Sequence, residues 1–126
     1  MTFLSAIRDQ PGPYALVNER TGHILASAVE IAGTSESRRR GLLGRDGLDP
    51  SAALIIAPCS GIHMFFMRFA IDAVFVDRDG RVRKIVHDLR PWRIALSLGA
   101  YAVVEMSSGA VGRSDVEVGD RLMIGA

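Results

Sequence analysis

The chain has 126 residues, 48% of them apolar, enough for one domain to bury a core without a metal or disulfide framework. Fifteen basic residues against fourteen acidic ones leave a formal charge of +1, so no global field recruits nucleic acid or an anionic membrane. A single cysteine excludes an internal disulfide, and the N-terminus lacks the basic flank and long apolar run of a signal peptide. A cytoplasmic location is therefore expected, with export left open if the N-terminus has been trimmed.

Residues 1–13 end in Pro11-Gly12-Pro13, which stops regular structure and predicts a loose lead-in, so that residues 14–126 form a single β domain. Tyr14 to Asn18 and His23 to Ile31 have strand composition and flank Glu19-Arg20-Thr21-Gly22, a turn with Gly at its last position. Thr34-Ser35-Glu36-Ser37 then supplies capping hydroxyls and an early acid. It predicts one short helix near residues 35–43, anchored by Leu42-Leu43. Arg38-Arg39-Arg40 reads as a solvated face, because consecutive helical residues spread over roughly 200°.

The centre of the chain is its most apolar part. Ala52 to Ala57, Ile62 to Phe69 and Ile71 to Val76 read as strands. Asp77-Arg78-Asp79-Gly80 then fits either a type I turn with a glycine bulge or a tight two-residue turn. The bulge would set Asp72 opposite Val86 and the tight turn would set it opposite His87, and the residues do not decide between them. Residues 89–93 interrupt the strand pattern, 97–100 form a turn, and Ala100 to Met106 is a further strand carrying a lone Glu105. Ser107 to Gly112 reads as a loop, residues 116–120 as a turn, and Arg121 to Ile124 as the last strand. Many short strands, glycine-rich turns and one helix predict a mostly β fold, a sandwich or a barrel-like sheet.

Several blocks carry a resemblance: Arg39-Arg40-Gly41-Leu42-Leu43-Gly44-Arg45, then His63 through Asp77 with Asp79-Gly80, then Val104-Glu105-Met106, Gly109 and Gly119-Asp120. In order and spacing the chain resembles domain of unknown function family 192 over roughly residues 24–125. The resemblance implies a compact β sandwich with a short helix and no particular activity, and some members of that family are exported. Met67-Arg68-Phe69-Ala70 replaces part of a polar run that usually follows the aromatic pair.

Few polar residues stand in the apolar centre, so any chemistry there must use them. A non-enzymatic binding or structural module is the favoured reading, with a polar cluster around Asp72. Asp72 and Glu105, acids embedded in apolar strands, need partners if buried, and Arg68, Arg90 or Arg93 would supply them. With Cys59, His63 and Trp92 these residues would either fix the sheet or face a small polar ligand. A hydrolase-like enzyme using Cys59, His63 and Asp72 has the right residue types but no local signature. Soft-metal binding by Cys59, His63 and Met67 suits the chemistry of thiolate, imidazole and thioether, although buried Met is more often core filler. No cofactor or resident metal is expected, nor nucleic acid or membrane as partner, and the chain should be a monomer or weak dimer.

Overall fold

The structure is a computed structural model that describes residues 3–5 and 11–125. Among these residues nine strands and two short helices follow in the order β1 (Tyr14–Asn18), β2 (Ile24–Ala32), α1 (Ser35–Arg40), β3 (Ala52–Ile56), β4 (Gly61–His63), β5 (Ile71–Val76), β6 (Val82–Leu89), β7 (Ile94–Leu96), β8 (Ala102–Ser107), α2 (Ala110–Arg113) and β9 (Leu122–Gly125). Seven strands form one sheet in the order β6-β5-β8-β3-β2-β1-β9, while β4 and β7 pair separately as a small ribbon. All neighbours in the sheet are antiparallel except β2 and β3, whose parallel pairing requires the crossover that α1 provides.

The sheet curls into a half-barrel rather than stacking as two sheets. Its ends approach through a bridge between Arg81 and Arg121, and through Val82 N donating to Asp120 O and Leu122 N to Gly80 O, each at 2.8 Å. Gly80 is required at this junction. Its φ is +87°, and an added Cβ would collide with the Leu122 carbonyl and come within 2.8 Å of the Phe3 ring. Phe3 is itself buried in the inner core, and its amide donates to the Arg78 carbonyl. Of the expected lead-in, residues 1–2 and 6–10 lie outside the described residues.

Two apolar clusters sit on opposite faces of the sheet. The inner one gathers Leu16, Val29, Ile55, Val74, Val104 and Ile124 with α2 and Phe3. The outer one packs Leu54, Ile56, Ile71, Phe75 and Val103 beneath Leu42, Met64 and Ala95, which belong to the tail of α1 and the ribbon. The central strands β3, β5 and β8 are thus covered on both sides, which is why they read as unbroken apolar runs rather than alternating ones.

The short helix forms as expected, with Thr34 and Ser37 closing a reciprocal capping box. It stops at Arg40, so Leu42 makes the anchor from just beyond the helix while Leu43 is surface. Two local expectations fail, and one element stands where none was assigned. The strand expected from Ile62 to Phe69 ends at His63, because Phe66 takes a left-handed φ of 65° and the chain leaves the ribbon. Residues 94–96 form β7, and the loop expected over 107–112 contains α2. Among the described residues no helix is long and apolar enough to cross a membrane.

Both turn readings at Asp77 contain part of the answer. Gly80 N donates to Asp77 O and Asp77 N to Arg81 O, as in the bulged turn. A second irregularity between Val82 and Lys84 then adds one residue, which restores the register of the tight turn at Ala73–Val86. Another shift beyond Ala73 leaves Asp72 with no direct partner on β6.

Candidate functional site

Asp72 and Glu105 were expected in one polar cluster, but strand alternation sends them to opposite faces. Asp72 pairs across β8 with Met106 and Ala73 with Glu105, so Asp72 points into the half-barrel and Glu105 to its outer side. Asp72 is 0% exposed. Its Oδ1 accepts from Asp88 N at 2.9 Å, and its Oδ2 accepts from Gly109 N at 3.0 Å and Val111 N at 3.1 Å. The partners are backbone amides, not the arginines expected from sequence. Asp72 ties the bulge at the end of β6 to the first turn of α2, and a polar cluster around it open to a ligand is not present.

Glu105 has the opposite surroundings. It is 5% exposed, flanked by Leu54 on β3 and Ala73 on β5, and its carboxylate makes no hydrogen bond or ion pair among the described residues. Burial pushes its pKa from 4.5 up to about 7. Glu105 forms part of the wall of a cavity of about 680 Å³ between α1, the end of β3 and the ribbon. Ile56, Met64 and Met67 supply apolar wall, while Cys59 and His63 lie along the side formed by the chain entering β4.

Cys59 is half-buried, and its thiol donates to Gly61 O at 3.1 Å. Burial is the main cause that raises its pKa, with the nearby Glu105 adding to the rise and the Gly61 contact and Arg38 opposing it. His63 is exposed, stacks on Phe65 at 4.8 Å, and accepts from Phe65 N through Nδ1 at 3.3 Å. Arg39 and Arg40 are exposed, as expected of a solvated face, although all three arginines also border the cavity. Arg38 is half-buried there and donates to Gly33 O at 2.9 Å, whereas Arg40 pairs with Glu36 across one helical turn.

The remaining expected site residues lie outside this cavity. Arg68 pairs with Asp46 at 2.7 Å and Arg90 with Asp88 at 3.3 Å, both on the surface, and Trp92 packs against Phe66. Cys59, His63, Met67 and Glu105 are therefore brought together, while Arg68, Asp72, Arg90 and Trp92 are not. No three His, Cys, Asp or Glu side chains among the described residues converge as metal ligands. Sequence reasoning missed Arg38 and Ile56 as wall residues. Their composition marks them as helix surface or core, and only the packing of α1 over the sheet makes them a wall.

The class defined by this geometry is a small mostly β half-barrel with a cavity on its convex side, floored by a buried carboxylate. The chain belongs to the DUF192 family, described as uncharacterized ACR, whose model matches residues 16–124. A UPF0127 protein of Thermococcus sibiricus is 33% identical over 116 residues, 85% of this chain and 72% of that protein. A UPF0127 protein of Pyrococcus abyssi is 35% identical over 114 residues, 85% of this chain and 94% of its own. A crystal structure of a protein of unknown function from Novosphingobium aromaticivorans is similar with a TM-score of 0.75 at 25% identity, covering 87% of this chain and 82% of that one.

Proposed function

We propose that the domain is a non-enzymatic binding module for a small zwitterionic molecule held in the cavity. The observation that carries this reading is Glu105, a buried carboxylate without a partner among the described residues that lines a cavity large enough for a small ligand. A ligand ammonium would offset the desolvation of that carboxylate, which the protein itself leaves uncompensated. Ile56, Met64 and Met67 would take an apolar body, and Arg38 and Arg39 in the cavity lining favour an anionic far end.

Binding is favoured over covalent chemistry by the arrangement of the nucleophile candidates. Cys59 gives its proton to a backbone carbonyl rather than to His63, its pKa is raised rather than lowered, and Asp72 faces the other side of the sheet. The test is a thermal-shift series with apolar amino acids, the matching amines and the matching carboxylic acids. Amino acids should raise the melting temperature of the wild type most, and Glu105→Gln should abolish the advantage conferred by the amino group. Equal responses to amino acids and to simple carboxylic acids would show that Glu105 takes no part, and the proposal would fail.

A further inference from the structure

On the outer side of the β4–β7 ribbon the chain exposes a continuous apolar and aromatic surface, which shares Gly61 and His63 with the cavity wall but is otherwise separate from it. His63 pairs with Ile94 and Gly61 with Leu96, so these side chains share the solvent face, and Leu96 lies over Gly61 where a Cβ would collide with it. At one end the face runs into a ring stack. His63 lies 4.8 Å from Phe65, Phe65 lies 5.8 Å from Trp92, and Trp92 lies 4.8 Å from Phe66. Phe66 is 74% exposed and Trp92 59%, and at the other end Leu98 is 85% exposed. Both aromatics sit at left-handed backbone positions, with φ of 65° and 71°, that bulky residues rarely adopt. Their loops are held together by Trp92 N donating to Met64 O at 2.8 Å. A contiguous exposed apolar face of this kind marks an interaction surface.

The charge around the face indicates what covers it. Arg68, Arg90 and Arg93 are exposed and stand within two residues of Phe66 or Trp92 in the chain, and Arg93 makes no ion pair among the described residues. Arg83 and Lys84 reach from β6 to the Leu98 and Leu96 carbonyls at the other end. Among the described residues Asp46 pairs with Arg68 and Asp88 with Arg90 and no other acid pairs with this set, so cations outnumber acids around the apolar face although the whole chain is nearly neutral. Aromatic side chains at a tip, flanked by cations able to meet lipid phosphates, match the interfacial zone of a bilayer.

We propose that the outer face of the β4–β7 ribbon docks on an anionic lipid surface, with Phe66 and Trp92 entering the headgroup region and Arg68, Arg90 and Arg93 contacting phosphate. This reverses the expectation drawn from net charge, because binding at short range depends on the local excess of cations rather than the total. The proposal is independent of the cavity ligand.

Trp92 is the only tryptophan, so its emission reports directly on the face. The full chain is titrated with vesicles of phosphatidylcholine alone and of phosphatidylcholine mixed with phosphatidylserine. With the mixed vesicles the emission should shift to the blue and become protected from iodide quenching, with weak or no response to neutral vesicles and partial reversal by salt. Phe66→Ser, and separately Arg68→Gln with Arg93→Gln, should each weaken binding roughly tenfold while leaving the urea midpoint in place. Absence of a shift with mixed vesicles, or equal binding by the wild type and both variants, would overturn the proposal. A blue shift that grows with protein concentration without lipid would overturn it in favour of pairing between copies.

Discussion

Replacing Glu105 by Gln should change how stability depends on pH. Burial raises the folded-state pKa from 4.5 to about 7, so between these values the folded state holds a proton that the unfolded chain has released. The stabilising contribution of the protonated carboxyl is complete below pH 4.5 and is lost as pH rises through 7. At roughly 1.4 kcal/mol per pH unit the span corresponds to about 3 kcal/mol, an upper value if water enters the cavity. Gln has nearly the same shape and no titration, so the constant cost of its buried amide cancels when one variant is followed across pH. Urea unfolding of wild type and Glu105→Gln at a series of values from pH 5 to pH 8.5 measures the effect, with His contributions common to both. The variant should gain about 2–3 kcal/mol relative to wild type over that range. A difference that stays flat would mean that the carboxylate is already solvated or partnered, and the ligand argument built on it would fail with it.

Asp72→Ala should cost roughly 3 kcal/mol or more in urea unfolding, because it strands the amides of Asp88, Gly109 and Val111 in a buried site; an unchanged midpoint would contradict a structural role. Asp120 accepts from Arg20, from Asn18 at 2.9 Å and from Glu117 N at 2.9 Å, and its pKa is lowered from 3.8 to about 2, chiefly by the Arg20 hydrogen bond. Its contribution is therefore present above pH 3.8 and lost as pH falls toward 2, so Asp120→Asn should flatten the acid limb of stability and cost about 2 kcal/mol at neutral pH. Cys59 should react slowly with iodoacetamide at pH 6 and at neutrality and accelerate only above the ordinary thiol range; fast labelling at pH 6 would point to an activated thiolate. After dialysis, elemental analysis should find well under one equivalent of zinc or copper, and a full equivalent lost in His63→Ala would restore the soft-metal reading.

The first hairpin, the capping box and the central apolar strands were legible because each is encoded by neighbours in the chain. Gly22 takes a φ of 71° at the end of its turn, and Thr34 and Ser37 cap each other three residues apart. β7 and α2 were not legible, since Ile94–Leu96 is too short for a period and Ala110–Arg113 has no side-chain cap. The first is held by β4, and the second begins where Gly109 N and Val111 N find Asp72, 37 and 39 residues earlier.

By itself the sequence determined a single mostly β domain with one capped helix, and it marked Asp72 and Glu105 as acids in apolar strands that need an account. Tertiary structure decided what each acid does. A strand shows only that successive side chains alternate, whereas the pairing of β5 with β8 fixes which face is enclosed by the curl and which lies beneath α1 and the ribbon. Asp72 meets three amides brought by distant segments and Glu105 meets none among the described residues. That difference depends on long-range packing, to which the flanking apolar residues, alike in both strands, are blind.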